Sequence, residues 1–212
     1  MCNDKFVSFC FSPLIRRSSA AAKIAYVGAF TALSVVSNMF FEFKLYDIQY
    51  SLTIFFSAII GVFLGPVLGF CACFTGDFIG YLVNSQGQLF MPWVGLSTAA
   101  FAFLSGAILR FKEDEKNLSK WLKLLIYALV SFLICTIGIN STGFYLFNKT
   151  KGFSPAVINY VAETFGGEVS FIGYVFYRLF FKLQILNSVF NYTLLFVAFP
   201  LILNAKGLKQ YL

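Results

Sequence analysis

The fold is decided by residues 50–83, YSLTIFFSAIIGVFLGPVLGFCACFTGDFIGYLV, in which Asp77 is the single charged residue. Two apolar runs meet at Gly65-Pro66, and each approaches the roughly 20 residues that a helix needs to cross the hydrocarbon layer of a bilayer. Because proline is tolerated at the start of a helix and disrupts its interior, this pair predicts a tight hinge between two helices. The stretch therefore predicts a protein embedded in a membrane.

The composition of the whole chain agrees with this prediction. Of its 212 residues, 59% are hydrophobic and only 12% are charged, and the mean hydropathy is +0.79. A soluble domain is about one quarter charged, so this chain has too few charges to cover a soluble surface. Disorder goes with low hydrophobicity and high charge, which is the opposite composition.

Hydropathy predicts an all-α integral membrane protein in which residues 1–212 form a single bundle of six transmembrane helices. The predicted spans are about 23–41, 50–64, 66–83, 93–109, 121–147 and 173–203, and a polar segment, 148–172, separates the last two. Lysine and arginine stay preferentially on the cytoplasmic side. Most of the 16 cations lie on the inner side if both termini are cytoplasmic, so we expect that orientation.

The net charge of +7 then reflects topology. We expect contact with membrane lipid, anionic at the inner face, and no nucleic acid partner. The residues that most enzymes use are scarce, since the chain has no histidine, the commonest general base and metal ligand. It also has no C-x-x-C pair and no Walker nucleotide motif. We expect no catalytic residue, no metal and no cofactor, and uphill transport would need an ion gradient or a partner.

Polar side chains inside the spans are the candidate functional residues, because placing them in lipid is costly. Asp77 either binds a ligand or satisfies donors within the bundle. In the sixth span, a continuous helix places four polar residues on one stripe, namely Tyr177, Gln184, Asn187 and Asn191. These amides either bond between helices or line a cavity.

Two cations, Arg178 and Lys182, lie on another face of the sixth span. They either reach the outer head groups or attract an anionic or polar ligand, with Asn140 of the fifth span at a similar depth. The outer loops add aromatic rings and amides, namely Tyr46, Gln49, Phe90 and Trp93. This composition suits a flat heterocyclic ligand, and it equally suits the aromatic belt of a membrane interface.

Small residues recur at helical spacing, which lets helix backbones approach closely in lipid. The later rows, from Gly61 to Gly69 and from Gly76 to Gly80, predict packing inside the bundle. The row on the first span consists of Ala21, Ala25 and Ala29. It either packs internally or faces another protein.

Several of these motifs together resemble a known family. They are the run 61–69, GVFLGPVLG, then 76–80, GDFIG, then Gly87, Pro92 and Gly106. This pattern is similar to the substrate-capture (S) components of energy-coupling factor (ECF) vitamin transporters. The segment 31–36, TALSVV, and the late Arg178 are similar to the folate-type members.

The resemblance implies a multi-pass protein of a bacterial plasma membrane that is not an enzyme. It would bind a vitamin with high affinity at its outer side and deliver it by toppling against a shared transmembrane coupling subunit, driven by two ATPase subunits that use the ATP. Folate is the first expectation, with pantothenate or cobalamin close behind. The alanine row, Ala21, Ala25 and Ala29, matches the family's docking surface for the coupling subunit.

The residues that we expect to bind the vitamin are Arg178, Lys182, Asn140, Gln184, Asn187, Asn191, Tyr46, Gln49, Phe90, Trp93 and Asp77. Two other functions stay open. An integral membrane enzyme acting on lipid or isoprenoid phosphates would need several acidic metal ligands, whereas the spans contain only Asp77. A stand-alone ion-coupled transporter would carry out uptake without ATPase subunits.

Overall fold

The computed structural model describes residues 2–45, 48–83, 89–111 and 116–204. The helices of the first part are α1 (Cys2–Cys10), α2 (Pro13–Arg17) and α3 (Ala20–Phe40). An antiparallel hairpin of β1 (Glu42–Leu45) and β2 (Ile48–Ser51) follows, with Glu42 opposite Ser51. The next helices are α4 (Thr53–Leu64), α5 (Pro66–Val83) and α6 (Pro92–Ile108).

The second part of the chain includes two π-helical segments, in which the helix is wider than an α-helix. One long helix consists of α7 (Asn117–Ser131), π1 (Phe132–Ser141) and α8 (Thr142–Lys151). Helix α9 (Pro155–Phe165) follows, and α10 (Phe171–Phe176) then continues into π2 (Tyr177–Phe181). The last described helix is α11 (Gln184–Asn204).

Apolar helices dominate this architecture. In the described part of the chain, four are long and apolar enough to cross a membrane, namely Ala20–Phe40, Pro66–Val83, Asn117–Lys151 and Gln184–Ile202. Shorter apolar helices are Thr53–Leu64, Pro92–Ile108 and Phe171–Phe181. The all-α integral membrane class is therefore confirmed, with a short hairpin between α3 and α4. The count of six spans and the side of the termini stay predictions.

The sixth predicted span is not one continuous helix. The chain breaks between π2 and α11, where Leu183 adopts a φ of +48°, a left-handed conformation that is uncommon for a residue with a side chain. The prediction of an unbroken helix over 173–203 was therefore wrong. The single polar stripe drawn on it was wrong for the same reason, because Tyr177 precedes the break and the three amides follow it.

The polar segment 148–172 also contains a helix that hydropathy did not indicate. Helix α9 has Pro155 in its first turn and ends at Gly166, whose φ of +70° gives a left-handed cap. Its buried residues, Val157 and Val161, pack against Tyr174 and Tyr177. The helix thus covers the side of α10 and π2.

Glycines bring the backbones of α4, α5 and α6 into direct contact. A Cβ atom added to Gly61 would lie 1.9 Å from the carbonyl oxygen of Ala102, and one added to Gly69 would lie 2.8 Å from the Gly61 Cα atom. In the same way, a Cβ atom added to Gly76 would lie 2.5 Å from the Cβ atom of Ser34 on α3. These distances confirm that the later small-residue rows pack inside the bundle.

The N-terminal helices are held against the hinge between α4 and α5. The Ser12 amide donates to the carbonyl of Leu64 at 3.3 Å, and the Ser12 hydroxyl donates to the carbonyl of Phe63. Arg110, which follows α6, donates to the carbonyl of Ser8 at 2.7 Å and to that of Phe9. Basic segments from two parts of the sequence therefore meet at one end of the bundle, which we call the basic end.

Candidate functional site

A polar and aromatic cluster around Arg178 of π2 lies toward the other end of the bundle. Its Nη2 donates to Gln184 Oε1 at 2.7 Å, and its Nη1 donates to Ser141 Oγ at 3.3 Å. The guanidinium carbon lies 4.5 Å from the centroid of the Phe144 ring, a cation–π contact. Among the side chains that the structure describes, no carboxylate forms an ion pair with Arg178. Neutral groups thus hold the cation, and its charge is available to an anion.

The π segments bring this cluster together. Ser141, the last residue of π1, donates its hydroxyl to the carbonyl of Thr136 at 2.9 Å, a side-chain bond that spans five residues. Ser97 of α6 donates to another π1 carbonyl, that of Cys135, at 3.0 Å. Segments of π-helix often mark functional sites, and here π1 presents Ser141 to the Arg178 of π2.

Two buried polar atoms near this cluster have no hydrogen-bond partner among the described residues: Trp93 Nε1 and Asn140 Oδ1. The Trp93 ring packs on Phe144 at a centroid distance of 5.8 Å and on Phe147 at 5.6 Å. Phe144 therefore contacts both Trp93 and Arg178. Because buried polar atoms are nearly always paired, this donor and this acceptor are open to a ligand.

The asparagines of α11 hold the start of α4. Asn191 is fully buried; its Oδ1 accepts from the Phe55 amide at 3.1 Å, and its Nδ2 donates to the carbonyl of Ser51 at 2.7 Å. Asn187 Oδ1 accepts from the Ser51 amide at 3.1 Å. Leu52 offers no side-chain cap to α4. The two asparagine side chains instead bond to the backbone of Ser51 just before α4 and to the Phe55 N–H in its first turn, which would otherwise have no partner within the helix. These contacts favour bonding between helices for Asn191 and bonding to the end of β2 for Asn187. Both asparagines therefore have partners other than those of Gln184, which bonds to Arg178.

Asp77 lies where four helices meet. Its Oδ1 accepts from Asn38 Nδ2 of α3 at 3.3 Å, and Asn38 Oδ1 accepts from the Thr53 hydroxyl of α4 at 3.4 Å. Its Oδ2 lies so close to α6 that a Cβ atom on Gly95 would be 2.8 Å away. Of the two interpretations of Asp77, these contacts favour internal bonding.

The other predicted residues are placed less closely around Arg178. Phe90 packs on Phe78 at 5.2 Å and on Tyr81 at 5.1 Å, against the end of α5. Lys182 lies at the break after π2, where its backbone amide donates to the carbonyl of Tyr177 at 3.0 Å. Tyr46 lies outside the described residues, as does the side chain of Gln49.

Sequence reasoning missed Ser141 and Phe144, both of which contact Arg178. It also missed Asn148, whose Nδ2 donates to the Tyr174 hydroxyl at 2.9 Å beside the cluster. One signal was available, because Ser141 directly follows Asn140, which had been selected. The register of π1 was not available, since a helical projection at 100° per residue assumes an unbroken α-helix.

The alanine row of the first span lies on the surface. Ala21, Ala25 and Ala29 are all exposed on α3. Gly28 beside them has open space around it, with nothing within 4 Å of an added Cβ atom. The row therefore does not pack inside the bundle. Its exposure agrees with the other interpretation, in which the row faces another protein.

Apolar helices of membrane-spanning length, with a polar and aromatic cluster toward one end, define an integral membrane protein with a candidate binding site. A family model described as "ECF-type riboflavin transporter, S component" matches residues 18–172. This is most of the chain, and the protein belongs to that family. The chain is therefore a vitamin-binding transporter subunit and not an enzyme, as predicted, which removes the lipid-phosphate enzyme as an alternative.

The fold is also similar to a solved structure described as the crystal structure of FolT bound with folic acid. The TM-score is 0.54, the sequence identity is 19%, and the match covers 81% of this chain and 90% of that one. At this identity the likeness shows the fold. The comparison with curated proteins finds no match.

Proposed function

We propose that this protein captures folate at the cluster around Arg178, as the S component of an ECF-type importer in a cell membrane. The observation that carries the proposal is a guanidinium in a membrane helix that is held by neutral partners, Gln184, Ser141 and the Phe144 ring. A charge at membrane depth is expensive and is usually paired. An anionic substrate supplies the missing partner.

The chemistry of folate matches the groups that surround Arg178. Its glutamate carboxylates accept hydrogen bonds from a guanidinium, which binds carboxylates in a two-pronged geometry. Its flat pterin ring suits the aromatic wall of Trp93 and Phe144. The unpaired Trp93 Nε1 and Asn140 Oδ1 offer one donor and one acceptor to the ring. Lys182 and Gln184 add polar groups where π2 ends.

Riboflavin is the second candidate, because the family model carries its name. Its flavin ring is also flat, and its ribityl hydroxyls would use Gln184, Ser141 and Asn140. Riboflavin is uncharged at neutral pH, so its binding would leave the Arg178 charge without a counter-ion. For this reason the site favours folate.

Delivery would depend on other subunits. The exposed row of Ala21, Ala25 and Ala29 offers a smooth helical face, of the kind that lets helices approach closely in lipid. We assign this face to a transmembrane coupling subunit that two ATPases drive. The bound vitamin would be carried across by toppling of the whole bundle, with the Arg178 end facing outward before the movement.

The test is binding of folate, riboflavin, pantothenate and cobalamin to the purified chain in detergent, measured by calorimetry. We expect submicromolar binding of folate. Tight binding of riboflavin alone would leave the capture role intact and overturn the assignment of folate. If none of the four binds below the micromolar range, the capture role itself fails.

Removal of the Arg178 charge tests the site. Arg178→Gln keeps hydrogen-bonding groups but loses the cation, and we expect folate affinity to fall about 100-fold, because a hydrogen bond to a charged group contributes roughly 1.5–3 kcal/mol. Lys149→Gln is the matched control, since Lys149 is an exposed cation of α8. Equal folate affinity in the two variants would remove Arg178 from the site.

A further inference from the structure

A groove at the basic end of the bundle is separate from the proposed vitamin site. It has a volume of about 730 Å³ and lies between the N-terminal helices, α3 and α5. Its walls are Val7, Phe11, Ile15, Ile24, Val27 and Leu68. This size falls within the roughly 300–1,000 Å³ of sites that take up small ligands, and the walls match a hydrocarbon chain.

Two cations lie at the edge of these apolar walls. Arg16 belongs to the last turn of α2, and Lys23 lies one turn inside α3. Arg16 is exposed and Lys23 is half-buried. Among the carboxylate side chains that the structure describes, none forms an ion pair with either cation. A ligand that fits the groove therefore has an apolar body and an anionic head.

The groove is built into the fold before any ligand arrives. Ser12 bonds to the carbonyls of Phe63 and Leu64, which fixes the link between α1 and α2 on the hinge. Arg110 bonds to the carbonyls of Ser8 and Phe9 and lies 5.1 Å from the Phe9 ring, which fixes the end of α1. A preformed site loses less freedom when it binds its ligand.

The N-terminal helix also has the exposure expected at a membrane surface. Phe6 is 67% exposed and Phe9 is 43% exposed, although both are large apolar residues. Aromatic and aliphatic side chains beside basic residues are typical of segments that lie in the interface between lipid heads and tails. The exposure of these rings fits a groove mouth at the level of the head groups.

We propose that this groove is a binding site for one anionic phospholipid, which places an acyl chain against the apolar walls and its phosphate between Arg16 and Lys23. The charge of the mouth selects the head group, and the walls select the chain. The bound lipid would brace α1 and α2 against α3. The site is independent of the vitamin that the protein binds.

Native mass spectrometry of the full chain in detergent tests this proposal. The purified protein is titrated with dioleoylphosphatidylglycerol, with dioleoylphosphatidylcholine, and with glycerophosphoglycerol as a soluble head group. We expect one tightly bound phosphatidylglycerol, weaker phosphatidylcholine and no bound soluble head group. Equal binding of the two lipids would overturn the proposal, and so would binding of the soluble head group as tightly as the lipid.

Two sets of variants locate the site. Arg16→Gln with Lys23→Gln should weaken phosphatidylglycerol about 30-fold, whereas Lys149→Gln with Lys151→Gln, at the far end of α8, should not. Gly28→Leu should block the groove because Gly28 lines it with open space around it, whereas Ala32→Leu, exposed on α3 outside the groove, should not. Unchanged lipid binding by the Arg16→Gln, Lys23→Gln double variant and by Gly28→Leu overturns the proposal. If those variants bind lipid normally but no longer bind the coupling subunit, the groove is a docking site for a protein and not for a lipid.

Discussion

At the scale of single residues, the polar side chains of the membrane helices divide into two groups. Asp77 and Asn191 bond to groups of neighbouring helices, and Asn187 bonds to Ser51 at the end of β2, so these three side chains hold the bundle together. Arg178 instead contacts only neutral groups through the bonds described above, and Trp93 Nε1 is unpaired in the described structure. The degree of burial does not distinguish the two groups. The completeness of their hydrogen bonding does.

The contact between Asp77 and Gly95 can be measured. A methyl group in Gly95→Ala would lie 2.8 Å from Asp77 Oδ2, so we expect a loss of about 1–3 kcal/mol in unfolding free energy, as for other overpacked sites. Gly80→Ala is the control, because its nearest neighbour is at an ordinary 3.5 Å. The measurement is chemical unfolding in detergent.

A double variant separates this contact from a general effect of alanine. Asp77→Ala alone should cost about 1–3 kcal/mol, because it leaves Asn38 Nδ2 unpaired. The double variant Asp77→Ala, Gly95→Ala should then cost no more than Asp77→Ala by itself. Strict additivity of the two losses would show that the carboxylate and Gly95 do not interact.

At the scale of helices, backbone contact replaces side-chain interlocking between α4, α5 and α6. Gly61, Gly69 and Gly106 lie where these helices meet. In lipid there is little hydrophobic drive for helices to associate, so close van der Waals contact has to supply the stability. A compact core of this kind gives the N-terminal helices a firm support.

Gly61→Ala tests the importance of that contact. The added methyl group would meet a backbone carbonyl at 1.9 Å, which cannot move as a side-chain end can, so we expect a loss of about 3 kcal/mol in unfolding free energy. Gly28→Ala on α3 is the matched control, and it should be neutral or stabilise by up to about 1 kcal/mol, because the position is open and glycine weakens helices. Equal thermal stability of the two variants would contradict the close packing.

At the scale of the whole molecule, the two ends of the bundle and its exposed helix have separate proposed roles. The Arg178 end would receive the vitamin, the basic end would hold lipid, and α3 would face the coupling subunit. This separation would suit the proposed toppling, because contact with the partner would not have to involve the vitamin site.

Ala25→Leu tests the role of the α3 face. The residue is exposed, so stability and vitamin affinity should not change, whereas a leucine would hold the partner helix away and lower uptake at least about tenfold for a docking loss near 1.4 kcal/mol. Uptake is measured in vesicles that contain this chain with the coupling and ATPase subunits. Ala156→Leu, exposed on α9, is the control.

Two results would contradict this assignment. Normal uptake by Ala25→Leu would show that the partner docks on another face. Vitamin uptake by vesicles that contain this chain alone would favour the stand-alone ion-coupled transporter over the ECF arrangement.

The sequence alone determined that the protein belongs in a membrane, that Gly65-Pro66 forms a hinge, and that the later glycine rows pack internally. These properties follow from hydropathy and from the size of one residue, which are local. Only the tertiary structure decided that Arg178 meets Ser141 and Gln184 while Asn191 holds α4. The physical reason is geometric: two π segments and the left-handed Leu183 change which way each side chain faces, and no α-helical projection contains that change.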